Sequence, residues 1–134
     1  MLGEKIGRST GKVTGRRILR DGATGVKVET SFDASGTMLG VEYREHGSYW
    51  SVMRADGTIY GEGTGLLIGK TGEMATWVGQ GVGTIRKDGG VNFRGAVYVQ
   101  SASPKWTRLN TVAAIYEYSV DGKDKTKSDI WEWK

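Results

Sequence analysis

The stretch Gly61-Glu62-Gly63-Thr64-Gly65 is echoed further on by Gly79-Gln80-Gly81-Val82-Gly83, and each places glycine on alternate residues. Between them, Gly69-Lys70-Thr71-Gly72-Glu73 reads as a tight hairpin loop. If Gly69 pairs with Glu73, Gly63 falls opposite Gly79 and Gly61 opposite Gly81. The triplets then form one smooth patch on one face of a two-stranded ribbon. Glycine weakens a strand interior, so it marks a bend or a close approach by another group. The patch predicts a strongly coiled sheet that closes into a barrel. Trp77 falls directly across from Gly65 and diagonally near Gly63, where its ring covers bare backbone.

Working outward, the dominant period is two. Val26, Val28, Thr30 and Phe32 alternate with Lys27, Glu29, Ser31 and Asp33, a half-buried strand pattern. Leu39, Val41 and Tyr43 repeat it, as do Trp50 with Val52, Trp131 with Trp133, and the set Val91, Phe93, Val97 and Val99. Turn signals separate these runs: Asp21-Gly22, Ser35-Gly36, His46-Gly47, Asp56-Gly57, Thr71-Gly72, Asp88-Gly89 and Asp121-Gly122. Strands joined by short loops make an antiparallel meander. About eight such strands close naturally, because closure removes exposed edges. The expected fold is therefore all-β, a single up-and-down barrel over residues 1–134. The best helical segment, Thr107 to Ala114, is short and runs into the strand pattern Ile115-Tyr116-Glu117-Tyr118. At Asp88-Gly89-Gly90 a three-residue loop is preferred, since it sets Phe93, Gly95 and Val97 beside the second glycine triplet. Gln80, Arg94 and Glu62 then share the other face.

Composition limits the chemistry. There are no cysteines, so neither disulfides nor thiolate chemistry is available. The single His46 excludes a multi-histidine metal site within one chain. No metal or cofactor is called for. No apolar run approaches membrane-spanning length, and Met1-Leu2-Gly3-Glu4-Lys5 lacks a signal peptide's apolar stretch, so a cytoplasmic protein with no membrane partner is expected. The net charge of +4 is uneven. Residues 1–20 carry Lys5, Arg8, Lys12, Arg16, Arg17 and Arg20 against Glu4, while the rest of the chain is almost neutral. This segment is either an anion-binding edge or a charged edge strand that resists aggregation, and the second reading is preferred.

Several motifs fail on spacing. Gly63 to Thr71 resembles a phosphate-binding loop, but Thr64 stands where its first glycine belongs, and Glu73 to Arg86 alternates like a strand instead of opening a helix. The glycine triplets miss the dinucleotide fingerprint and its βαβ setting. His46 with Ser48 or Ser51 would need a third group to hold the base and aim it at the nucleophile, whereas His46-Gly47 reads as an exposed hairpin tip. Asp121, Asp124 and Asp129 are interleaved with Lys123, Lys125 and Lys127, which is no calcium loop. Trp77, Trp106, Trp131 and Trp133 are not grouped in sequence with the basic cluster, so a core or interface role is expected and nucleic acid is not.

The remaining constellation is polar residues embedded in apolar strands: Glu62, Gln80, Arg94, Asn110, Glu117 and Glu132. Charged groups are rarely buried without partners. Pointing inward, they would line a polar-rimmed cavity with Arg94 paired to a glutamate; pointing outward, they are solvated strand residues. Inward placement would let Arg94 hold a carboxylate or enolate, and a glutamate move a proton. Glu62, Gln80, Arg94, Asn110 and Glu117 are thus the candidate ligand-binding residues. The C-terminal segment is apolar on both faces, with Tyr116, Tyr118 and Ile130 against Ile115, Trp131 and Trp133. A monomeric barrel needs one such face, so self-association into a homo-oligomer is expected.

The glycine triplets, Trp77, Arg94-Gly95-Ala96, Leu109-Asn110, Tyr116-Glu117-Tyr118 and Trp131-Glu132-Trp133 together resemble a group of small uncharacterised prokaryotic proteins similar to the allene oxide cyclase-like barrels. The resemblance covers most of residues 55–134. It implies an eight-stranded antiparallel barrel with a central cavity. Relatives of that group include plant fatty-acid oxide cyclases and bacterial cyclases of polyketide products, whose barrels mainly shape a flexible apolar substrate. No catalytic residue of those enzymes has a counterpart here. Three functions follow: binding of a small, largely apolar ligand; cofactor-free cyclisation or isomerisation of a fatty-acid- or polyketide-like substrate; or a structural, oligomeric module.

Overall fold

A computed structural model describes residues 1–21 and 25–134. The chain forms β1 (Leu2–Asp21), β2 (Gly25–Met38), β3 (Val41–Met53), β4 (Ile59–Gly69), β5 (Met74–Ile85), β6 (Val91–Gln100), a 3-10 helix (Thr107–Thr111), β7 (Ala114–Val120) and β8 (Lys125–Trp133). Each strand pairs antiparallel with its neighbours in sequence, and β1 pairs with β8 to close an eight-stranded barrel. The expected all-β meander barrel is the fold observed.

The glycine ribbon has the register its sequence implies. Gly61 faces Gly81, Gly63 faces Gly79 and Gly65 faces Trp77. On the next strand pair, Gly79 faces Val97, Gly81 faces Gly95 and Gly83 faces Phe93. The physical reason lies in the rings. A Cβ at Gly65 would collide with the Trp77 indole, and one at Gly81 with the Tyr116 hydroxyl. A Cβ at Gly63 would lie 2.8 Å from Cβ of Tyr49 and 3.3 Å from the Trp77 ring. The patch is thus the surface on which large inward side chains lie.

Two turn assignments change. Ser35-Gly36 continues β2, and the chain reverses at Leu39-Gly40, both in left-handed conformation. His46-Gly47 is no hairpin tip but the middle of β3, with His46 opposite Asp33 and Leu66. Gly47 is there for space: a Cβ would meet the Phe32 ring at 2.5 Å. The turns at Asp56-Gly57, Thr71-Gly72, Asp88-Gly89 and Asp121-Gly122 lie between strands as expected. The Asp21-Gly22 turn lies outside the described residues. The helical segment is a single 3-10 turn, Thr107–Thr111, after which β7 begins at Ala114.

The stretch 101–113 crosses and closes one end of the barrel. Its Trp106 is fully buried, packs edge-on against Tyr43, and donates its indole N–H to the Met38 carbonyl at 3.0 Å. Leu109, Met38, Leu67, Val99 and Ala114 complete this dry layer. The opposite end carries the ion pair Arg16–Asp124, a bidentate contact of 3.0 and 2.7 Å beside the β7–β8 turn.

Candidate functional site

Between the dry layer and the open end, aromatic rings from opposite walls meet across the barrel. Tyr49 of β3 and Tyr118 of β7 lie on opposite sides, yet the Tyr118 hydroxyl donates to that of Tyr49 at 3.3 Å. Phe32 and Phe93 pack against both, with ring centroids 5.5 to 6.3 Å apart. Burial raises the pKa of both tyrosines, so they stay neutral hydroxyls. The barrel is therefore largely filled by its own side chains. What remains is a cavity of about 80 Å³, well below the roughly 300–1,000 Å³ of common ligand pockets.

The wall of this largely apolar space also carries Glu45, Glu62, Ser128, tyrosine hydroxyls and the Trp77 indole, and Glu45 and Trp77 differ from the rest. Glu45 is inward-facing on β3 and only 8% exposed. Burial pushes its carboxyl up from 4.5 to about 7, opposed by the nearby Trp77 indole and His46. Trp77 faces it from β5. The indole lies near enough to stabilise the carboxylate but not in hydrogen-bonding geometry. Trp77 Nε1 is the one buried side-chain polar atom without a partner among the described residues. The other buried glutamate, Glu73, behaves differently. It accepts from the Thr71 hydroxyl at 2.5 Å and from the Thr71 backbone N–H at 3.3 Å, which holds its carboxyl below the usual range. Glu73 is a satisfied turn residue, whereas Glu45 has no cation against it among the described ion pairs.

The sequence-derived candidates lie elsewhere. Arg94 and Glu117 pair across β6 and β7, with their closest atoms 3.6 Å apart, but on the outer wall, where the Arg94 side chain is 81% exposed. Gln80 is exposed on β5, opposite Glu62. Glu62 borders the cavity, while its carboxylate accepts from the Tyr60 hydroxyl at 2.5 Å. Asn110 clasps the closing loop: its amide accepts from Ser101 N–H at 2.7 Å and donates to Ser101 C=O at 2.8 Å. Glu132 accepts from Arg108 at 2.6 Å. These residues do not converge on one point. Glu45 was missed because a hairpin tip was placed at His46-Gly47. The alternation Tyr43, Glu45, Gly47, Tyr49 carries the signal: a carboxylate at a position whose neighbours in period are all interior.

The basic segment also changes meaning. β1 pairs with β2 on one side and β8 on the other, so it is not an edge and has none to protect. Arg8, Lys12, Lys125 and Lys127 are exposed on adjoining strands, with Lys12 directly opposite Lys125. Folding also brings Trp131 to this segment: Lys5 lies opposite it, with Nζ 5.2 Å from the ring centroid. No helix is long and apolar enough to cross a membrane.

Comparison with known proteins places the molecule among small β-barrel proteins. No family model matches the chain, and no curated protein matches its sequence. Solved structures do match. A conserved protein of unknown function from Rhodopseudomonas palustris superposes with a TM-score of 0.82 at 12% identity, covering 98% of this chain and 97% of that one. A β-barrel-like protein from Acinetobacter baumannii gives 0.83 at 14% identity, over 100% and 96% of the two chains. An enzyme from Penicillium herquei gives 0.69 at 17% identity, over 96% and 92%. At these identities the likeness shows the shared barrel.

Proposed function

We propose that the protein binds a small, largely apolar molecule inside the barrel. The observation that carries this reading is the cavity itself, walled by Phe32, Phe93, Tyr116, Trp77 and bare glycine backbone, with the buried Glu45 carboxyl and the unpaired Trp77 N–H among its few polar groups. A few polar groups in an apolar, concave site are the usual make-up of a ligand pocket. The resemblance to allene oxide cyclase-like barrels supports the same reading. The cavity volume favours a compact ligand over an extended fatty-acid chain. Native mass spectrometry after gentle purification, with thermal unfolding across a panel of compact rings, fatty acids and polyketide-like compounds, tests it. A co-purifying molecule or a stabilising compound is expected. A reproducibly empty protein that no compound stabilises would reject the reading.

A second reading is a cofactor-free cyclase or isomerase. It is favoured by Glu45, whose carboxyl titrates near neutrality and so is suited to take and return a proton. The Penicillium herquei neighbour is described as an enzyme, which is in keeping with chemistry on this fold. Turnover that survives Glu45→Gln unchanged would remove Glu45 from that role. Self-association finds support on the outer wall, where Ile115 faces Trp131 and Val78 faces Tyr98; light scattering at high concentration tests it.

A further inference from the structure

We propose that the interior site recognises a hydroxyl or enol group carried on a single apolar ring, with the Trp77 indole N–H and the Glu45 carboxyl as its two hydrogen-bond partners. This deepens the interior-binding reading and rests on it.

The chemistry of the two groups selects the ligand. The indole N–H only donates, so the ligand atom beside it must accept. Above about pH 7, where Glu45 is ionised, its carboxylate only accepts, so the same ligand must also donate. A hydroxyl does both through one oxygen. An ether or a simple ketone accepts from Trp77 but offers nothing to the carboxylate. A ligand carboxylate would set a second negative charge beside Glu45 with no cation to separate them, which is unfavourable in an apolar interior. An ammonium would meet Glu45 and leave the indole unpaired, since it has no lone pair to accept with.

Trp77 Nε1 has no hydrogen-bond partner among the described residues, and none of the described ion pairs involves Glu45. Tyr49 and Tyr118 are hydrogen-bonded to each other across the barrel. The Trp106 indole is already committed to the Met38 carbonyl. Trp77 itself is held by packing: its ring lies on Gly65, where a Cβ would strike Nε1. Holding a buried donor unpaired is costly, and native interiors rarely do so. The shape of the site agrees. A space of about 80 Å³ suits a compact body rather than a chain, and the backbone at Gly61, Gly63 and Gly79 gives it a flat wall.

Phenol, anisole and benzene test this directly, since they share one ring. Phenol donates and accepts, anisole only accepts, and benzene does neither through an oxygen. Binding is followed by tryptophan fluorescence and by the Trp77 indole N–H resonance, assigned by its loss in Trp77→Phe. Phenol should bind roughly tenfold more tightly than benzene and several-fold more tightly than anisole, about the worth of one good hydrogen bond. It should also shift the Trp77 resonance. In Glu45→Gln the preference for phenol over anisole should shrink several-fold, because the amide is a weaker acceptor than a carboxylate. Equal binding of the three compounds, or a Trp77 resonance that ignores bound phenol, would overturn the proposal while leaving interior binding intact. Failure of all three to bind, with other compact apolar compounds also inert, would remove both. The comparison of phenol with anisole on the unaltered protein decides the matter even if a variant does not fold.

Discussion

Trp106 and Trp77 are both held inside the barrel, and they differ in what their indole N–H meets. At the closed end, Trp106 donates to Met38 C=O and is packed among Tyr43 and aliphatic side chains. At the centre, Trp77 donates to nothing and faces a buried carboxyl. The closed end has the organisation of a core, where apolar packing and paired polar groups reinforce one another. The centre keeps two polar groups that weaken the fold. Such groups gather where a protein binds or reacts, which is why the cavity, and not the better-packed end, is the candidate site.

The largest expected effect tests the closed end. Trp106→Ala should cost about 3–5 kcal/mol by urea unfolding, from lost burial and the cavity left behind. A loss below about 1 kcal/mol would mean that the crossing segment does not anchor the barrel. Glu45→Gln tests the centre. Because the carboxyl titrates near 7 in the folded chain against 4.5 ordinarily, the native state holds its proton longer than the unfolded chain does. The penalty from Glu45 should therefore be absent below about pH 4.5, grow as pH rises, and level off above 7. The variant should escape that penalty, gaining up to about 3 kcal/mol at pH 8 and almost nothing at pH 4.5. Parallel stability curves for the two proteins would show that Glu45 is not buried in an apolar setting.

Removing each N–H while keeping a ring sharpens the contrast. Trp106→Phe leaves the Met38 carbonyl without its donor and should cost about 1–3 kcal/mol beyond the change in ring size. Trp77→Phe removes a donor that has no partner and should stay within about 1 kcal/mol of the parent. Equal losses at the two sites would erase the distinction. The smallest effect belongs to the open end. Asp124→Asn keeps a residue that tolerates the positive φ of 65° there and removes the charge facing Arg16. Both side chains are over 40% exposed, so the loss should be under about 1 kcal/mol and should vanish in high salt.

Much of the fold was legible because its signals are local. Alternation and short glycine-containing turns specify antiparallel neighbours. Three-residue loops then set the register of β4, β5 and β6: Lys70-Thr71-Gly72 as expected, and Lys87-Asp88-Gly89, one residue earlier than the expected Asp88-Gly89-Gly90 but with Phe93, Gly95 and Val97 still beside the second triplet. The site was far less legible. Glu62, Gln80, Arg94 and Glu117 looked unusual for apolar strands, yet alternation alone does not say which face is inside, and the structure places Gln80, Arg94 and Glu117 on the exposed wall. The glycine at 47 imitated a turn because glycine serves both tight turns and close packing, and the ring that fills its space, Phe32, comes from another strand.

Residue types and their spacing thus suffice for a closed meander with a bare glycine wall. Closure itself sets the rest, because it joins positions far apart in the chain. It pairs β1 with β8 and so removes the edge that the basic segment was expected to guard. It brings Tyr49 and Tyr118 together across the barrel, and leaves Glu45 facing Trp77 with no partner for the indole N–H. Backbone pairing is a short-range property of the chain, whereas burial depends on what all eight strands enclose together.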